Sequence, residues 1–310
     1  MHEYTENNHC LFGFNGVDWA LTTDQQQDPV YHWTVGTISR EKSFLDSCID
    51  AARSIYDRSV GRICISLSGG IDSEITCRSF IQAKINFYAT IVRFTDGSNH
   101  HDIKHGLDFC RRFNVKHEII DIDILDFMHN DLWKYTNEFH MISPQVPLHL
   151  WILDQIDDYM IYCGGDLRVS RPLGQSDGHY VIVKPLTTTV HRAMIARNKL
   201  GCPHFFMQVP EQPWAFINDD LTKMWLKHSF SMKQQSIKYF KPLIYEKHFP
   251  GLVPRQKKTG FENMQDLDLS IRAKLEEKHG HYHGDIHVPI GDFNALLEGK
   301  LSKIYKNKDR

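Results

Sequence analysis

The hydrophobic positions from residue 63 onward alternate between short apolar runs and segments with helical spacing. Ile63, Ile65 and Leu67 predict a buried strand, and the pattern over residues 72–84 predicts a helix. The same succession recurs, with further strands predicted at 87–94, 115–122 and 159–163 and further helices at 39–56, 102–114, 124–138 and 148–159. Because alternating strands and helices are joined by right-handed crossovers, the sequence predicts an α/β fold with a doubly wound parallel sheet.

The two ends of the chain follow other patterns. Residues 1–40 mix polar and aromatic residues, which predicts short strands at 11–14, 17–21 and 30–35. Towards the C-terminus the pattern predicts a polar loop at 168–185, helices at 190–199 and 221–239 joined by a proline-rich link, and a short peripheral helix at 292–310. The predicted organisation is an N-terminal extension (1–40), an α/β core (41–189) and a mostly helical region (190–310).

Composition and charge narrow the class of protein. The 310 residues are 41% hydrophobic and 24% charged, as in globular proteins, and the net charge of −2 gives no argument for binding nucleic acid or membranes. The chain has no apolar run near the ~20 residues that span a bilayer. Its first residues have neither the basic nor the apolar region of a signal peptide, so we expect no such peptide and a cytoplasmic location. The cysteines contain no Cys-x-x-Cys pair, which argues against a disulfide framework, a structural zinc site or an iron–sulfur cluster.

A glycine-rich turn joins the strand at 63–67 to the helix that follows it. Gly69 and Gly70 place no Cβ between their backbone amides and a ligand. The turn also opens a helix, whose free N–H groups and positive dipole end attract anions, so the segment predicts a phosphate cradle. Asp72 would repel bare phosphate, which suggests a Mg²⁺ ion between the two. The competing interpretation is an ordinary turn in which Asp72 caps the helix.

The run Ser68-Gly69-Gly70-Ile71-Asp72-Ser73 resembles the PP-loop of the ATP pyrophosphatase superfamily, whose members cleave ATP to AMP and pyrophosphate. The resemblance implies an adenine nucleotide alpha hydrolase-like (HUP-type) fold. It also implies that ATP lies across residues 68–73, with its pyrophosphate held by backbone amides and by the hydroxyls of Ser68 and Ser73. Leu67 and Val92, near the ends of two neighbouring strands, would line the adenine and ribose.

A second turn at a strand end reads Gly164-Gly165-Asp166. Since parallel strands end at the same edge of a sheet, we expect Asp72 and Asp166 to flank one Mg²⁺ ion on the phosphates of ATP, with the two glycines beside the nucleotide. A plain turn is the alternative interpretation. The order of elements is similar to that of the asparagine synthetase branch, where this loop reads Ser-Gly-acid-Gly-x-Asp-Glu. The chain departs from that pattern at Tyr162, Cys163 and Leu167.

A basic segment carries the third resemblance. Synthetases of this branch have a late Arg-x-Lys and a nearby Gly-Phe, and here Arg255 precedes two lysines and then Gly260-Phe261. Spacing to Gly260 selects Lys258, whereas spacing from Arg255 selects Lys257. The resemblance implies that one of these lysines neutralises charge on the α-phosphate and pyrophosphate during adenylation. The alternative is a solvated basic loop.

Together these resemblances imply an asparagine synthetase-like ligase without a glutaminase domain, because position 2 is His2 rather than that domain's cysteine. ATP and Mg²⁺ would serve to adenylate a small-molecule carboxylate. Ammonia or an amine, from solution or from a separate partner, would then form an amide, and region 190–310 would complete the site. The alternatives are a PP-loop enzyme that modifies a nucleobase or tRNA, and an ATP-binding protein without catalysis. The histidines of 279–287 predict a surface loop or, alternatively, a transition-metal site.

Overall fold

The computed structural model describes most of the predicted core and of the helical region. The described residues are 10–14, 17–18, 30–139, 141, 143–164, 168–171, 179–183, 189–228, 237, 240–255, 258–279, 286–301 and 304–307. Three of the predicted site residues, Gly165, Asp166 and Lys257, lie outside these ranges. The same holds for most of the histidine-rich segment at 279–287.

The described part of the chain forms strands and helices with the following bounds. The strands are β1 Cys10–Phe14, β2 Val17–Asp18, β3 Val30–Val35, β4 Ile63–Ser66, β5 Tyr88–Phe94, β6 His117–Ile122, β7 Tyr159–Ile161, β8 Arg168–Ser170, β9 Tyr180–Val183, β10 Gly201–Cys202, β11 Ile286–Pro289 and β12 Ile304–Asn307. The helices are α1 Phe44–Tyr56, α2 Ile71–Gln82, α3 His100–Phe113, α4 Ile124–Asp126, α5 Leu132–Phe139, α6 Gln145–Gln155, α7 Thr189–Ala196, α8 Glu211–Asn218, α9 Asp220–His228, α10 Lys241–His248, α11 Gln265–His279 and α12 Ile290–Leu297.

Five parallel strands form the central sheet, in the order β10-β7-β4-β5-β6. Both faces of the sheet are covered, since Ile63 and Ile65 of β4 join one buried cluster and Cys64 between them joins the other. The predicted doubly wound parallel sheet is therefore confirmed. The strand order reverses between β4 and β7, and ligands of such sheets bind beyond the C-terminal strand ends at this switch point.

Helix α1 shows how the local sequence sets an element that supports the sheet. The side chain of Ser43 caps the helix by accepting a hydrogen bond from the Asp46 backbone N–H at 3.1 Å, so the helix begins after Ser43 rather than at residue 39. Phe44, Cys48 and Ile55 recur at helical spacing and are buried on the side of α1 that packs against α2 and α8. The spaced apolar positions thus fix which face of α1 packs inward.

The opposite face of the sheet is covered by α5, α6, α7 and α11, which contribute buried residues to the second cluster. The predicted helix over 124–138 is confirmed as a continuous run of α4, a π-helical turn at Phe127–Asp131 and α5. Arg197 directly follows α7 and links it to α6 and α5, because its Nε lies 2.7 Å from a carboxylate oxygen of Asp154 and its Nη2 lies 2.7 Å from one of Glu138.

No described helix combines the length and the apolar character that a membrane span needs.

Two small antiparallel sheets are formed by segments outside the core. In the first, ordered β12-β3-β1-β2, the strands β1 to β3 occupy the segments where the N-terminal strands are predicted. The predicted helix over 292–310 is wrong in its second half, because α12 ends at Leu297 and β12 pairs with β3. The division into three regions stays a prediction.

The loop predicted at 168–185 is wrong, because β8 and β9 pair within it and β9 also pairs with β11. Val169 and Val181 are buried, but the partner strand of β9 lies about a hundred residues later, so local composition did not reveal the pairing. The proline-rich link predicted before residue 221 is also wrong, because it contains α8. Pro213 lies in the first turn of α8, where a backbone N–H has no helical acceptor. The helix predicted over 221–239 is confirmed as far as His228 by α9, and most of its remainder lies outside the described residues.

Candidate active site

The loop after β4 has the conformation that its glycines allow. Gly69 has a φ of +79°, in the left-handed region, and a Cβ on this residue would lie 1.9 Å from the backbone oxygen of Asp102. The loop therefore packs directly on the first turn of α3, at the end of β4 next to the switch point. Any residue other than glycine at position 69 would collide with α3.

The N-terminus of α2 is open above this loop. Gly70 is the N-cap and provides no side-chain hydrogen bond, so the Asp72-capped turn considered above is not what forms. Ser73 Oγ donates to the Gly70 carbonyl at 2.9 Å, and the Ser68 and Ser73 hydroxyls lie 3.3 Å apart. Ser68 is exposed, and the Gly70 N–H approaches its Oγ at 3.4 Å, at the long limit of a hydrogen bond. The loop combines two hydroxyls with helix amides that lack a side-chain cap, as an anion site requires.

Asp72 is held by two residues that sequence reasoning did not connect with it. Lys241 Nζ lies 2.5 Å from Asp72 Oδ1, and the Tyr245 hydroxyl donates to the same oxygen at 2.9 Å. The Lys241 side chain is only 10% exposed, so its ammonium group is committed to this contact. Lys241 therefore neutralises the acid that the sequence analysis assigned to a metal ion.

This contact decides how well Mg²⁺ fits at Asp72. Mg²⁺ requires oxygen donors in octahedral geometry, and one carboxylate oxygen of Asp72 is already shared by an ammonium and a hydroxyl. In the described part of the chain, no group of three acidic, histidine or cysteine side chains is arranged to hold a metal ion. Lys241 and Tyr245 therefore compete with a metal ion for Asp72 Oδ1, and the parts of Asp72 and Asp166 in binding Mg²⁺ stay predictions.

A buried carboxylate lies in the first turn of α2, directly after the loop. Glu74 is 3% exposed, and it accepts hydrogen bonds from Arg112 and Arg255, each at 2.9 Å. Arg78 lies 3.8 Å from the same carboxylate and donates to the carbonyls of Phe249 and Pro250 at 2.9 and 2.7 Å. The three arginines thus attach the segment before Lys258 to α2. No sequence motif marked Glu74, although an acid directly after the loop signature was a signal.

The basic segment of the third resemblance reaches the loop itself. Arg255 Nε donates to the Gly69 carbonyl at 2.7 Å, and the Lys258 backbone N–H donates to Asp102 Oδ1 at 3.2 Å. Gly260 has a φ of +89° and packs against the segment after β5, where Phe261 makes an edge contact with Phe94 at 6.0 Å. The Lys258 side chain is exposed on this anchored backbone. The structure therefore brings the first and third motifs together.

Gly164 lies where β7 ends, on the other side of the switch point from the loop. A Cβ on Gly164 would lie 2.6 Å from the Pro203 carbonyl oxygen, so the close approach of the chain after β10 requires glycine there. Burial lowers the pKa of the neighbouring His204 to about 3, with a smaller effect from His191. His204 is consequently neutral at pH 7 and brings no charge to this edge of the sheet.

Val92 lies in β5, beside the loop strand, as the sequence predicts. Its carbonyl accepts a hydrogen bond from Asn99 Nδ2 at 3.0 Å, and Asn99 Oδ1 accepts one from the Phe94 N–H at 3.0 Å. A cleft of about 280 Å³ lies just beyond, lined by Arg93, Phe94, Thr95, Gly97, His100, Ile103 and Asp121. The role of Leu67 and Val92 in lining adenine and ribose stays a prediction.

The imidazole of His105 and the thiols of Cys64 and Cys110, all near the loop, are held in their neutral forms. Burial, and then the Arg255 guanidinium, lower the pKa of His105 below its usual value. Burial raises the pKa of the Cys64 and Cys110 thiols to about 11, so these thiols are protonated at pH 7. The six cysteines from Cys48 to Cys202 form no disulfide. The charges in this region are therefore those of lysine, arginine and carboxylate side chains.

No protein family and no curated protein matches the chain. Among solved structures, the chain is similar to an NMN synthetase from Francisella tularensis, with 12% identity, 78% of this chain and 94% of that one covered, and a TM-score of 0.31. The chain is also similar to an NH3-dependent NAD synthetase from Campylobacter jejuni in complex with nitrate, with 15% identity and a TM-score of 0.34. That match covers 85% of this chain and 98% of the other.

A third similar structure is a glutamine-dependent NAD+ synthetase from Acinetobacter baumannii in complex with ADP, at 13% identity and a TM-score of 0.30. The match covers 87% of this chain but only 53% of that one, so this chain spans about half of its length. TM-scores this low carry no argument about activity.

Proposed function

We propose that this chain is an ATP-dependent ligase of the PP-loop type that adenylates a carboxylate and converts it to an amide. The observation that supports the proposal most strongly is the attachment of the Arg255–Lys258 segment to Gly69 in the loop and to Asp102 in the first turn of α3. A glycine-rich loop, a helix N-terminus without a side-chain cap and an anchored lysine converge at the sheet edge where such folds bind ligands.

The proposed reaction has two steps. A substrate carboxylate oxygen attacks the α-phosphorus of ATP, the bond to the bridging oxygen breaks, and pyrophosphate leaves. The amides and hydroxyls of residues 68–73 would hold the departing pyrophosphate, because the first amides of α2 have no side-chain cap. Ser73 would release the Gly70 carbonyl, to which its hydroxyl donates, in order to take part. Ammonia or an amine then attacks the acyl carbon, AMP leaves, and the nitrogen loses a proton to give the amide.

Lys258 is the residue that we assign to charge neutralisation in the first step. Its backbone is fixed to Asp102, whose own carbonyl touches the loop, while its side chain remains exposed and able to reach a nucleotide. Lys257 is the alternative, and it lies outside the described residues. An asparagine synthetase-like substrate, Mg²⁺, a contribution of Gly165 and Asp166, a separate ammonia source and the cytoplasmic location all stay predictions.

The test is product analysis with the full chain, ATP, Mg²⁺ in solution, ammonia and a pool of carboxylic acids. We expect AMP and pyrophosphate in amounts that depend on one acid, and loss of both products in Asp72→Ala. ADP and phosphate would contradict the proposal. Tight ATP binding without turnover would favour the non-catalytic alternative, and turnover only with tRNA or a nucleobase would favour the nucleic-acid alternative.

Replacement of the lysine gives the second measurement. We expect Lys258→Met to lower kcat about 10²–10³-fold, the usual cost of one charge-stabilising donor, without lowering protein stability, because the side chain is exposed. Lys116→Met is the matched control, since Lys116 is equally exposed but precedes β6, at the opposite edge of the sheet. Unchanged kcat in Lys258→Met together with a loss in Lys257→Met would move the role to Lys257.

A further inference from the structure

The Arg255 side chain is buried and forms hydrogen bonds with two different parts of the molecule. Its side chain is 7% exposed, its Nε donates to the Gly69 carbonyl at 2.7 Å, and its Nη2 donates to Glu74 at 2.9 Å. These contacts join residues 186 and 181 positions apart in the chain. One guanidinium therefore touches both the backbone of the glycine-rich loop and the buried carboxylate beneath it.

The contact with the Gly69 carbonyl has a geometric consequence for the next amide. The peptide unit is planar and trans, so the Gly69 C=O and the Gly70 N–H point in opposite directions. When Arg255 holds the carbonyl on its side, the Gly70 N–H is directed away from Arg255. In the structure this N–H points towards the exposed Ser68 hydroxyl, on the side of the proposed phosphate cradle.

The peptide plane between two glycines rotates more easily than one between residues with side chains, so its orientation depends on hydrogen bonds such as the one from Arg255. Neither residue has a Cβ to block rotation of the intervening peptide plane, and Gly69 already occupies the left-handed region at φ +79°. A flipped peptide would present its carbonyl oxygen to an anion and would turn the N–H away. The strong, charge-assisted hydrogen bond from Arg255 opposes that flip.

We infer that Arg255 is a positioning residue that fixes the Gly69–Gly70 peptide so that the Gly70 N–H faces the pyrophosphate of the nucleotide. The inference rests on the proposed function and adds a residue to it that acts through the loop rather than on the substrate. Because Arg255 lies three positions before Lys258, it also ties the orientation of the cradle to the placement of the lysine segment.

The test compares Arg255→Met with Arg112→Met. Both arginines donate to Glu74 at 2.9 Å, so each variant removes one partner of the same carboxylate, but only Arg255 touches the loop backbone. Pyrophosphate binding to the full-length protein is measured by calorimetry. We expect pyrophosphate binding to weaken about ten-fold or more in Arg255→Met and to stay within about two-fold of the unmodified protein in Arg112→Met.

A nuclear magnetic resonance signal reports on the peptide directly. Protein labelled with carbonyl-¹³C and ¹⁵N glycine gives carbonyl–amide correlations only from Gly-Gly pairs, and the sequence contains two, at 69–70 and 164–165. We expect the 69–70 signal to shift in Arg255→Met before any ligand is added, and to stay in place in Arg112→Met. The 164–165 signal serves as an internal reference.

The outcomes separate the inference from the proposed function. If the unmodified protein binds pyrophosphate but both variants weaken it equally, or neither does, the positioning role is overturned while the nucleotide site stands. If the unmodified protein binds neither pyrophosphate nor ATP, the proposed function fails. In that case an unmoved 69–70 signal in Arg255→Met would still overturn the restraint on the peptide.

Discussion

Gly69→Ala is expected to abolish ATP binding and to destabilise the protein by about 2–5 kcal/mol. Two physical costs add: a non-glycine residue in the left-handed region costs about 1–2 kcal/mol, and a Cβ forced into packed neighbours costs about 1–3 kcal/mol. The collision is severe because the new Cβ would lie 1.9 Å from the Asp102 oxygen, which belongs to backbone and has no other rotamer. The loop or α3 has to move, and the proposed cradle is lost with it.

Gly61→Ala separates these two costs. Gly61 has the same φ of +79°, but nothing lies within 4 Å of a Cβ built on it. We therefore expect Gly61→Ala to cost about 1–2 kcal/mol and to leave ATP binding unchanged. Urea unfolding and calorimetric titration with ATP measure both quantities in each variant. Equal stability and equal ATP affinity in the two variants would show that the loop does not pack on α3 as described.

Glu74→Gln is expected to cost about 3–5 kcal/mol of stability, the usual result of removing one partner from a buried ion pair. Glu74 is 3% exposed and faces Arg112 and Arg255 at 2.9 Å, so an amide in its place leaves the buried Arg255 guanidinium and the partly exposed Arg112 guanidinium without this counter-charge. Because Arg255 also holds the Gly69 carbonyl, we expect pyrophosphate binding to weaken as well. Urea unfolding gives the first effect and calorimetry the second.

Asp121→Asn is the matched control for Glu74→Gln. Asp121 also pairs with an arginine, and Arg93 approaches its two oxygens at 2.5 and 2.7 Å, but both side chains are about half exposed. Exposed ion pairs contribute little because water screens them, so we expect the urea midpoint to stay nearly unchanged. A loss in Glu74→Gln no larger than the loss in Asp121→Asn would mean that the buried cluster does not hold the segment after α10 in place.

Local sequence patterns determined four of the five strands of the central sheet and the position of the loop, but not the two-residue strand β10. Apolar runs and helical spacing placed β4, α2, β5, α3 and β6 correctly, because the period of a strand or a helix is set by neighbouring residues. The glycines at 69 and 70 marked the turn for the same reason. Where a strand depends on a distant partner, as β9 depends on β11, the local pattern was insufficient and the prediction of a loop was wrong.

Only the tertiary structure decided which charges meet at the candidate site. The sequence placed Asp72 next to a metal ion, whereas packing of α10 brings Lys241 and Tyr245 onto its carboxylate from about 170 positions away. In the sequence, Arg255 served only to locate the lysine of the third motif. In the structure, its side chain donates hydrogen bonds to the Gly69 carbonyl and to Glu74. Such contacts are decided by how whole elements pack, and a short-range pattern carries no information about a partner so far along the chain.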